Sequence, residues 1–217
     1  EIDSVITLFS KGELGKALNI ANKLVGTFSD NSLLHNVIGA CYAGLGQLGS
    51  AVKSYEKAIE IDPEYAKAHY NLGVAFQELN KSNESIVSYE KSIEIDPNHA
   101  EAYNNLGSVY LEISNYEKAI KSYKNALLIK PDYIEANYSL AIALQDQGDT
   151  EEMINQLKKV LEIQPDLDEA HYRIGLGFQN LGEQEKAIKY YQRSIEINPN
   201  FSEAYNNLGN VQKKINQ

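Results

Sequence analysis

The sequence predicts an all-α protein that is built by stacking copies of one pair of helices. The chain has 217 residues and five prolines, and each proline follows the previous one by 34 residues. They are Pro63, Pro97, Pro131, Pro165 and Pro199. Proline lacks a backbone N–H and clashes inside a helix, so each one separates the end of a helix from the start of the next. A period of this length is typical of a solenoid, in which stacked repeats share one continuous core.

The prolines also define the boundaries of the repeats. We count the third residue after each proline as place one, and residues are compared below by their place in the repeat. Residues 1–31 fit as a partial, degenerate repeat, and residues 202–217 fit as a first helix only. The complete repeats between them are 32–65, 66–99, 100–133, 134–167 and 168–201.

The second observation is helical periodicity within each repeat. Repeat 100–133 carries Tyr103, Leu106, Gly107 and Tyr110 at places four, seven, eight and eleven. This i, i+3, i+4, i+7 spacing forms the buried stripe of a first helix, and the small residue at place eight lets a second helix approach closely. The second half of the repeat has a matching pattern of small and aromatic residues at places twenty, 24 and 27, which predicts the second helix. The turns between the two helices are expected near Gly46, Lys81–Asn83, Ser114–Asn115, Gly148 and Gly182.

This pattern resembles the tetratricopeptide repeat (TPR) family. The stretch from Ala100 to Asp132 is close to the family consensus from end to end, and the resemblance covers the whole chain. It implies one right-handed superhelical solenoid of antiparallel helix pairs over residues 1–217. Repeat 134–167 departs from the family signature at six places, and we expect it to fold with a local change in stacking. The six residues are Asn137, Ala141, Leu144, Met153, Leu157 and Val160.

Composition argues against several classes of protein. With 20 basic and 30 acidic residues the formal net charge is −10, whereas a nucleic-acid surface needs clustered Lys and Arg. Cys41 is the only cysteine and cannot form an internal disulfide, so we expect a reducing, cytoplasmic environment. No apolar run approaches the roughly 18 residues that span a bilayer, and the first residues do not have the pattern of a signal peptide. We predict neither a nucleic-acid nor a membrane partner.

Residues that could carry catalytic chemistry are better explained by structure. Gly44, Gly46 and Gly49 match a dinucleotide-binding fingerprint, but that motif follows a strand, and here it follows a predicted helix. Three histidines share place four, and stacked repeats lie on the order of 10 Å apart, too far for shared zinc bonds of about 2 Å. They are His35, His69 and His171, while His99 is expected alone near a turn. We therefore predict no enzyme activity, no cofactor and no catalytic or metal-binding residue.

In the TPR family, the first helix of each repeat lines a concave groove that binds an extended or helical peptide. The resemblance assigns places two, five, six, nine, twelve and thirteen to that groove. The residues that we predict there are Tyr70, Asn71, Glu78, Asn104, Asn105, Glu112, Tyr138, Tyr172, Arg173 and Asn207. This groove is tyrosine-bearing, amide-rich and mildly acidic, so it favours a basic or neutral protein or peptide.

Asparagine at place six has two interpretations. Some glycosyltransferase-linked TPR superhelices bind the peptide backbone with a ladder of asparagines at this place, and Asn71 and Asn105 resemble that ladder. Asparagine is also ordinary family consensus there and need not bind anything. A clamp for a terminal carboxylate is not expected, because the basic groove residues Lys67 and Arg173 lie three repeats apart.

The leading hypothesis is a non-catalytic scaffold that binds proteins or peptides in this groove. One alternative is the substrate-recruiting arm of a larger glycosyltransferase- or sulfotransferase-linked enzyme. The chain begins at Glu1 rather than methionine and its last repeat stops halfway, which favours a piece of a longer protein over a trimmed mature chain. Another alternative is self-assembly through the terminal repeats, whose apolar faces lack a neighbouring repeat.

Overall fold

The computed structural model describes residues 1–215, and these residues form thirteen α-helices and no strand. The predicted all-α class is therefore confirmed. The last two residues of the predicted repeat 202–217 lie outside the described residues. The chain divides into two compact parts, an N-terminal half over Glu1–Val109 and a C-terminal half from Tyr110 onward. Each half is described by itself.

The helices alternate along the chain between first and second helices of the repeats. The odd-numbered helices are the first helices and the even-numbered helices are the second ones. In order they are α1 Ile2–Ser10, α2 Leu14–Leu24, α3 Ser32–Gly44, α4 Leu48–Ile61, α5 Ala66–Glu78, α6 Ser82–Ile95, α7 Ala100–Glu112, α8 Tyr116–Ile129, α9 Ile134–Gln147, α10 Thr150–Ile163, α11 Asp168–Asn180, α12 Gln184–Ile197 and α13 Ser202–Ile215. No helix of the described residues is both long enough and apolar enough to cross a bilayer.

The turn inside each repeat needs one residue in the left-handed backbone region, at place fifteen. The backbone angle φ there is 73° at Gly46, 95° at Gly148 and 58° at Ser114. Glycine is the usual solution because other residues have a Cβ that disfavours this region. Asn80 has a φ of 57° at the same place, and α6 already begins at Ser82. The turn predicted at Lys81–Asn83 is therefore misplaced, since the left-handed residue is Asn80.

A tyrosine of the second helix packs directly on a glycine of the first helix. A Cβ added to Gly73 would lie 2.7 Å from Cδ1 of Tyr89, whose side chain is fully buried. Gly39 and Gly175 meet Tyr55 and Tyr191 in the same way. This contact between places eight and 24 sets the closest approach of the two helices, because only glycine leaves room for the ring.

Repeat 134–167 solves the same packing problem with different side chains. Ala141 and Leu157 replace the glycine and the tyrosine, and both are fully buried. At place twenty, Met153 replaces the alanine or serine of the other complete repeats. Its extra volume is accommodated by Gly177 in the following repeat, where an added Cβ would lie 2.9 Å from Cε of Met153. The change in stacking expected for repeat 134–167 stays a prediction, and this contact involves two neighbouring repeats.

The residue at place four ties the first helix to the end of the preceding repeat. Nε2 of His69 lies 2.9 Å from the carbonyl oxygen of Pro63, and His171 makes the same contact with Pro165. In repeat 134–167, Nδ2 of Asn137 donates to the carbonyl oxygen of Pro131 over 3.0 Å. The asparagine that departs from the family pattern thus makes the same hydrogen bond as the histidines.

We expect alanine at place eight to have opposite effects in two repeats. Gly73→Ala should lower the free energy of unfolding by about 1–3 kcal/mol, because its methyl group collides with the buried ring of Tyr89. Gly209→Ala should raise it by up to about 1 kcal/mol through helix propensity, since no atom lies within 4 Å of a Cβ added there. Urea denaturation followed by circular dichroism measures both changes. Two changes of the same sign would contradict this packing.

Asn137→Ala should lower the free energy of unfolding by about 1–3 kcal/mol, because it leaves the buried amide of Gln156 and the turn carbonyl of Pro131 without a partner. Asn137→His introduces the residue found at this place in repeats 66–99 and 168–201, and it should lower the free energy of unfolding less. Urea denaturation compares the two variants. Equal losses would show that the hydrogen bond to Pro131 contributes nothing.

Candidate functional site

In each half, we call the surface that carries places five and six of the first helices the first-helix face. It contains most of the residues predicted to line the groove. Tyr70, Tyr138 and Tyr172 are half-buried at place five, and Glu78 and Glu112 are exposed at the ends of α5 and α7. Ring contacts orient two of the tyrosines: the centroid of Tyr70 lies 4.6 Å from that of His99, and the centroid of Tyr172 lies 4.8 Å from that of Phe201.

Side chains of the first-helix face form hydrogen bonds between successive repeats. In each case the residue at place six donates to the residue at place five of the repeat before it. In the N-terminal half, Asn71 Nδ2 donates to Asn36 Oδ1 over 2.9 Å, and Asn105 Nδ2 donates to the Tyr70 hydroxyl over 3.1 Å. In the C-terminal half, Arg173 Nε donates to the Tyr138 hydroxyl over 2.9 Å, and Asn207 Nδ2 donates to the Tyr172 hydroxyl over 3.0 Å.

These inter-repeat hydrogen bonds change the interpretation of the asparagine ladder. The asparagines at place six hold neighbouring first helices together, a role that the sequence did not reveal. An amide nitrogen has two hydrogens and each bond uses one of them, so a second hydrogen is left for another acceptor. A structural role and a binding role are therefore compatible at these places.

Arg173 is engaged by three partners within the protein. Besides the bond to Tyr138, its Nη1 donates to Oε1 of Gln145 over 3.1 Å and its Nη2 lies 2.9 Å from Oε1 of Glu169. A guanidinium that is neutralised and hydrogen-bonded in this way is a poor site for a further anion. The absence of a clamp for a terminal carboxylate on this face stays a prediction.

The tyrosines of the first-helix face keep their protons at neutral pH. Burial raises the pKa of Tyr70, Tyr138 and Tyr172. Each hydroxyl accepts a hydrogen bond from the next repeat and keeps its own hydrogen as a donor. Burial also lowers the pKa of His99, which favours its neutral form beside Tyr70. His99 is thus part of the site, although the sequence suggested an isolated residue near a turn.

Asn104 differs from the other buried or half-buried residues at place five, because its acceptor atom has no hydrogen-bond partner. Its side chain is only 9% exposed, and its Nδ2 donates to Oδ1 of Asn105 over 3.3 Å. Its Oδ1 is buried and has no hydrogen-bond partner. The sequence contains a signal for this difference. In each of the four bonded pairs, the residue 35 positions after the place-five residue is Asn or Arg. The residue 35 positions after Asn104 is Ser139.

Other candidate residues have structural surroundings. Gly46 provides the left-handed turn, and a Cβ added to Gly44 would lie 2.6 Å from Cδ1 of Leu14. Cys41 is buried, and burial raises the pKa of its thiol, which disfavours the reactive thiolate. Within residues 1–215, no group of three or more His, Cys, Asp or Glu side chains is arranged to hold a metal ion.

The bond between Asn207 and Tyr172 can be tested by a double-mutant cycle. Asn207→Ala and Tyr172→Phe should each lower the free energy of unfolding by about 0.5–1.5 kcal/mol. The double variant should lose little more than one of them, because both changes remove the same hydrogen bond. Urea denaturation gives the three values, and Tyr205→Phe, on an exposed tyrosine of the same helix, is the control. Fully additive losses would show that the two side chains are not coupled.

Family models for tetratricopeptide repeats match most of the chain. A model described as a TPR repeat matches residues 39–80 and 107–148. Models described as tetratricopeptide repeats match residues 66–99 and 168–201, residues 88–121 and 190–217, and residues 134–167. The matches to 66–99, 134–167 and 168–201 coincide with repeats defined by the proline spacing. No curated protein sequence matches the chain.

Solved structures of similar fold are numerous. The crystal structure of MamA is 28% identical with a TM-score of 0.72, and the match covers 74% of this chain and 94% of that chain. YrrB, titled a TPR protein with an unusual peptide-binding site, is 21% identical with a TM-score of 0.77 over 86% of this chain and 96% of its own.

The C-terminal part of a TPR repeat-containing protein from Cytophaga hutchinsonii is 19% identical with a TM-score of 0.82, over 99% of this chain and 86% of that one. The similarities to YrrB and to the Cytophaga hutchinsonii protein concern the fold alone. The proline period, the paired helices and the family matches lead to one conclusion: this chain belongs to the tetratricopeptide repeat family.

Proposed function

We propose that this protein is a non-catalytic scaffold that binds a protein or peptide on its first-helix face. The observation that carries the proposal is the buried, unpartnered Oδ1 of Asn104. A buried acceptor without a hydrogen bond costs about 1–3 kcal/mol, so it is an unusual feature for a surface that serves packing alone. A ligand N–H that bonds to this oxygen, once the side chain of Asn104 turns outward, would remove that cost.

The neighbours of Asn104 define the chemistry of the ligand. Asn104, Asn105 and Tyr70 form a continuous set of hydrogen bonds, which ends in an open acceptor at Asn104 and a hydroxyl hydrogen at Tyr70. An extended peptide offers both counterparts, an N–H and a carbonyl, in each residue. The face therefore suits a peptide main chain.

The charge of the face favours a basic or neutral partner. Glu78 and Glu101 are exposed in the N-terminal half, and Glu112, Glu135 and Glu203 are exposed in the C-terminal half. Arg173, the basic residue at place six, is already neutralised by Glu169. An acidic peptide would meet unfavourable charge along the first helices, whereas Lys or Arg side chains would be attracted. The fold is shared with YrrB, a TPR protein with an unusual peptide-binding site, and this likeness supports the proposal.

Self-association is a second candidate function, and one observation favours it. On α13, Tyr205 and Ile215 are 50% and 45% exposed, and Gly209 has nothing within 4 Å of an added Cβ. A helix that carries a tyrosine in the register of Tyr191 would fit this face. Sedimentation velocity of the wild-type chain against Gly209→Gln tests it: loss of a dimer in the variant supports the contact, and a monomeric wild type at micromolar concentration removes it.

The peptide-binding proposal is best tested at Asn104, because the asparagines at place six also hold the repeats together. Linear peptides selected from a random library on the wild-type protein should bind Asn104→Leu at least about tenfold more weakly, the loss of one buried hydrogen bond. The same variant should have about the stability of the wild type, because removing an unsatisfied buried acceptor offsets the loss of the hydrogen bond from Asn104 to Asn105. Isothermal titration calorimetry and urea denaturation measure the two effects.

Two controls make the outcome specific. Leu128→Lys changes an exposed side chain on the second helix α8 and should leave the selected peptides bound. Asn36→Leu removes an acceptor at the same place of an earlier repeat, but it leaves Nδ2 of Asn71 without its partner, so stability should fall. If all selected peptides bind Asn104→Leu as tightly as the wild type, the proposal is wrong.

A further inference from the structure

A second surface lies on the other side of the helices, between α4 and α6. It is a groove of about 910 Å³ that opens to solvent, and we call it the second-helix groove. Its floor is formed by His69, Leu72 and Phe76 of α5, and its apolar walls include Ile59 of α4 and Val87 of α6. All of these residues belong to the N-terminal half, and none of them belongs to the first-helix face.

Val87 distinguishes this groove from the equivalent surfaces of the other repeats. It occupies place 22 on the outer side of α6 and is 65% exposed. The residues at the same place in the other complete repeats are Lys53, Lys121, Asn155 and Lys189. Because the repeats share one backbone pattern, the residues at place 22 of the other repeats show which side chains are usual at this exposed position. A mostly exposed valine where its counterparts are polar contributes little to the packing of α6, and we take it as a sign of an external apolar contact.

The rim of the second-helix groove is acidic. Glu56 and Glu60 line it from α4, and Glu84 lines it from α6. Lys91 is the basic residue of the lining, and its Nζ lies 3.2 Å from Glu94 and 3.9 Å from Glu64. The positive charge of Lys91 is therefore offset by carboxylates beside it, and the mouth of the groove presents net negative charge.

A comparable groove in the C-terminal half has different chemistry. It lies between α8 and α10 and has a volume of about 470 Å³. Lys124 and Lys159 are on its lining, together with the single carboxylate Glu152. Of these two grooves, only the one beside Val87 combines a large apolar floor with an acidic rim.

We propose that the second-helix groove binds a short, cationic amphipathic helix. The floor residues follow one another at i, i+3 and i+7, and the lining on α6 extends from Asn83 to Lys91, about two helical turns. A partner helix with apolar residues at the same spacing can pack on this floor, in the manner of a helix in a groove. Lys or Arg on its flanks would then face Glu56, Glu60 and Glu84, and this complementarity selects against acidic partners.

The test uses synthetic peptides and fluorescence anisotropy. One labelled peptide carries Leu at the two core positions of each heptad and Lys elsewhere, and its matched counterpart carries Glu in place of Lys. The Lys peptide should bind the wild type, and the Glu peptide should bind at least tenfold more weakly. Raising the salt concentration should weaken binding of the Lys peptide, because the rim contributes through charge.

Variants at place 22 assign the binding to the groove. Val87→Lys introduces the residue found at this place in three other repeats and should lower the affinity for the Lys peptide at least tenfold. The neutral Val87→Asn should lower that affinity less. Circular dichroism should show no loss of helix in either variant, since place 22 faces solvent. Lys121→Val is the matched control and should leave affinity unchanged. Asn104→Leu should also leave it unchanged, which separates this groove from the first-helix face.

Three outcomes would overturn the proposal. They are an undiminished affinity in Val87→Lys, equal binding of the Lys and Glu peptides, and no binding of the Lys peptide at millimolar concentration. Sedimentation velocity adds one more: a wild-type dimer that Val87→Lys dissociates would assign the groove to a second copy of the chain, not to a cationic helix.

Discussion

The close contact between a glycine of the first helix and a tyrosine of the second is the constraint on which the repeats that carry this pair depend. It brings the two helices together at Gly73 and Tyr89, and it directs the stripe at places four, seven and eleven toward the neighbouring second helices. Places five and six are then left on the opposite surface, free to meet the adjacent repeat. Both candidate surfaces, the first-helix face and the second-helix groove, follow from this one arrangement.

The polar side chains of the first-helix face hold neighbouring repeats together and can also bind a ligand. Its side chains hold successive first helices together through bonds such as Asn105 to Tyr70 and Asn207 to Tyr172, so the surface is ordered before any ligand arrives. Preorganised polar groups lose less entropy on binding than mobile ones. Asn104, which leaves its oxygen open, is fixed by the same set of bonds through Asn105.

Periodicity made the helices and the family predictable from the sequence, because the proline spacing and the apolar stripes depend on residue type and position alone. Asn137 was harder to interpret, since its likeness to histidine lies in a hydrogen bond to Pro131 that no pattern of polarity encodes. Asn80 was missed as the turn residue because a left-handed backbone is less expected of asparagine than of glycine. The open acceptor of Asn104 depends on which partner reaches it, and only atomic positions reveal that.

The contact between Met153 and Gly177 limits how this array can be copied or recombined. The larger side chain of one repeat occupies the space left by the missing Cβ in the next, so the two repeats have adapted to each other as a pair. A duplication that separated them would place Met153 against a bulkier neighbour, because the other complete repeats have Cys, Ala or Val at the place of Gly177. In this part of the chain the packing unit is therefore two repeats long, although the sequence period is one repeat.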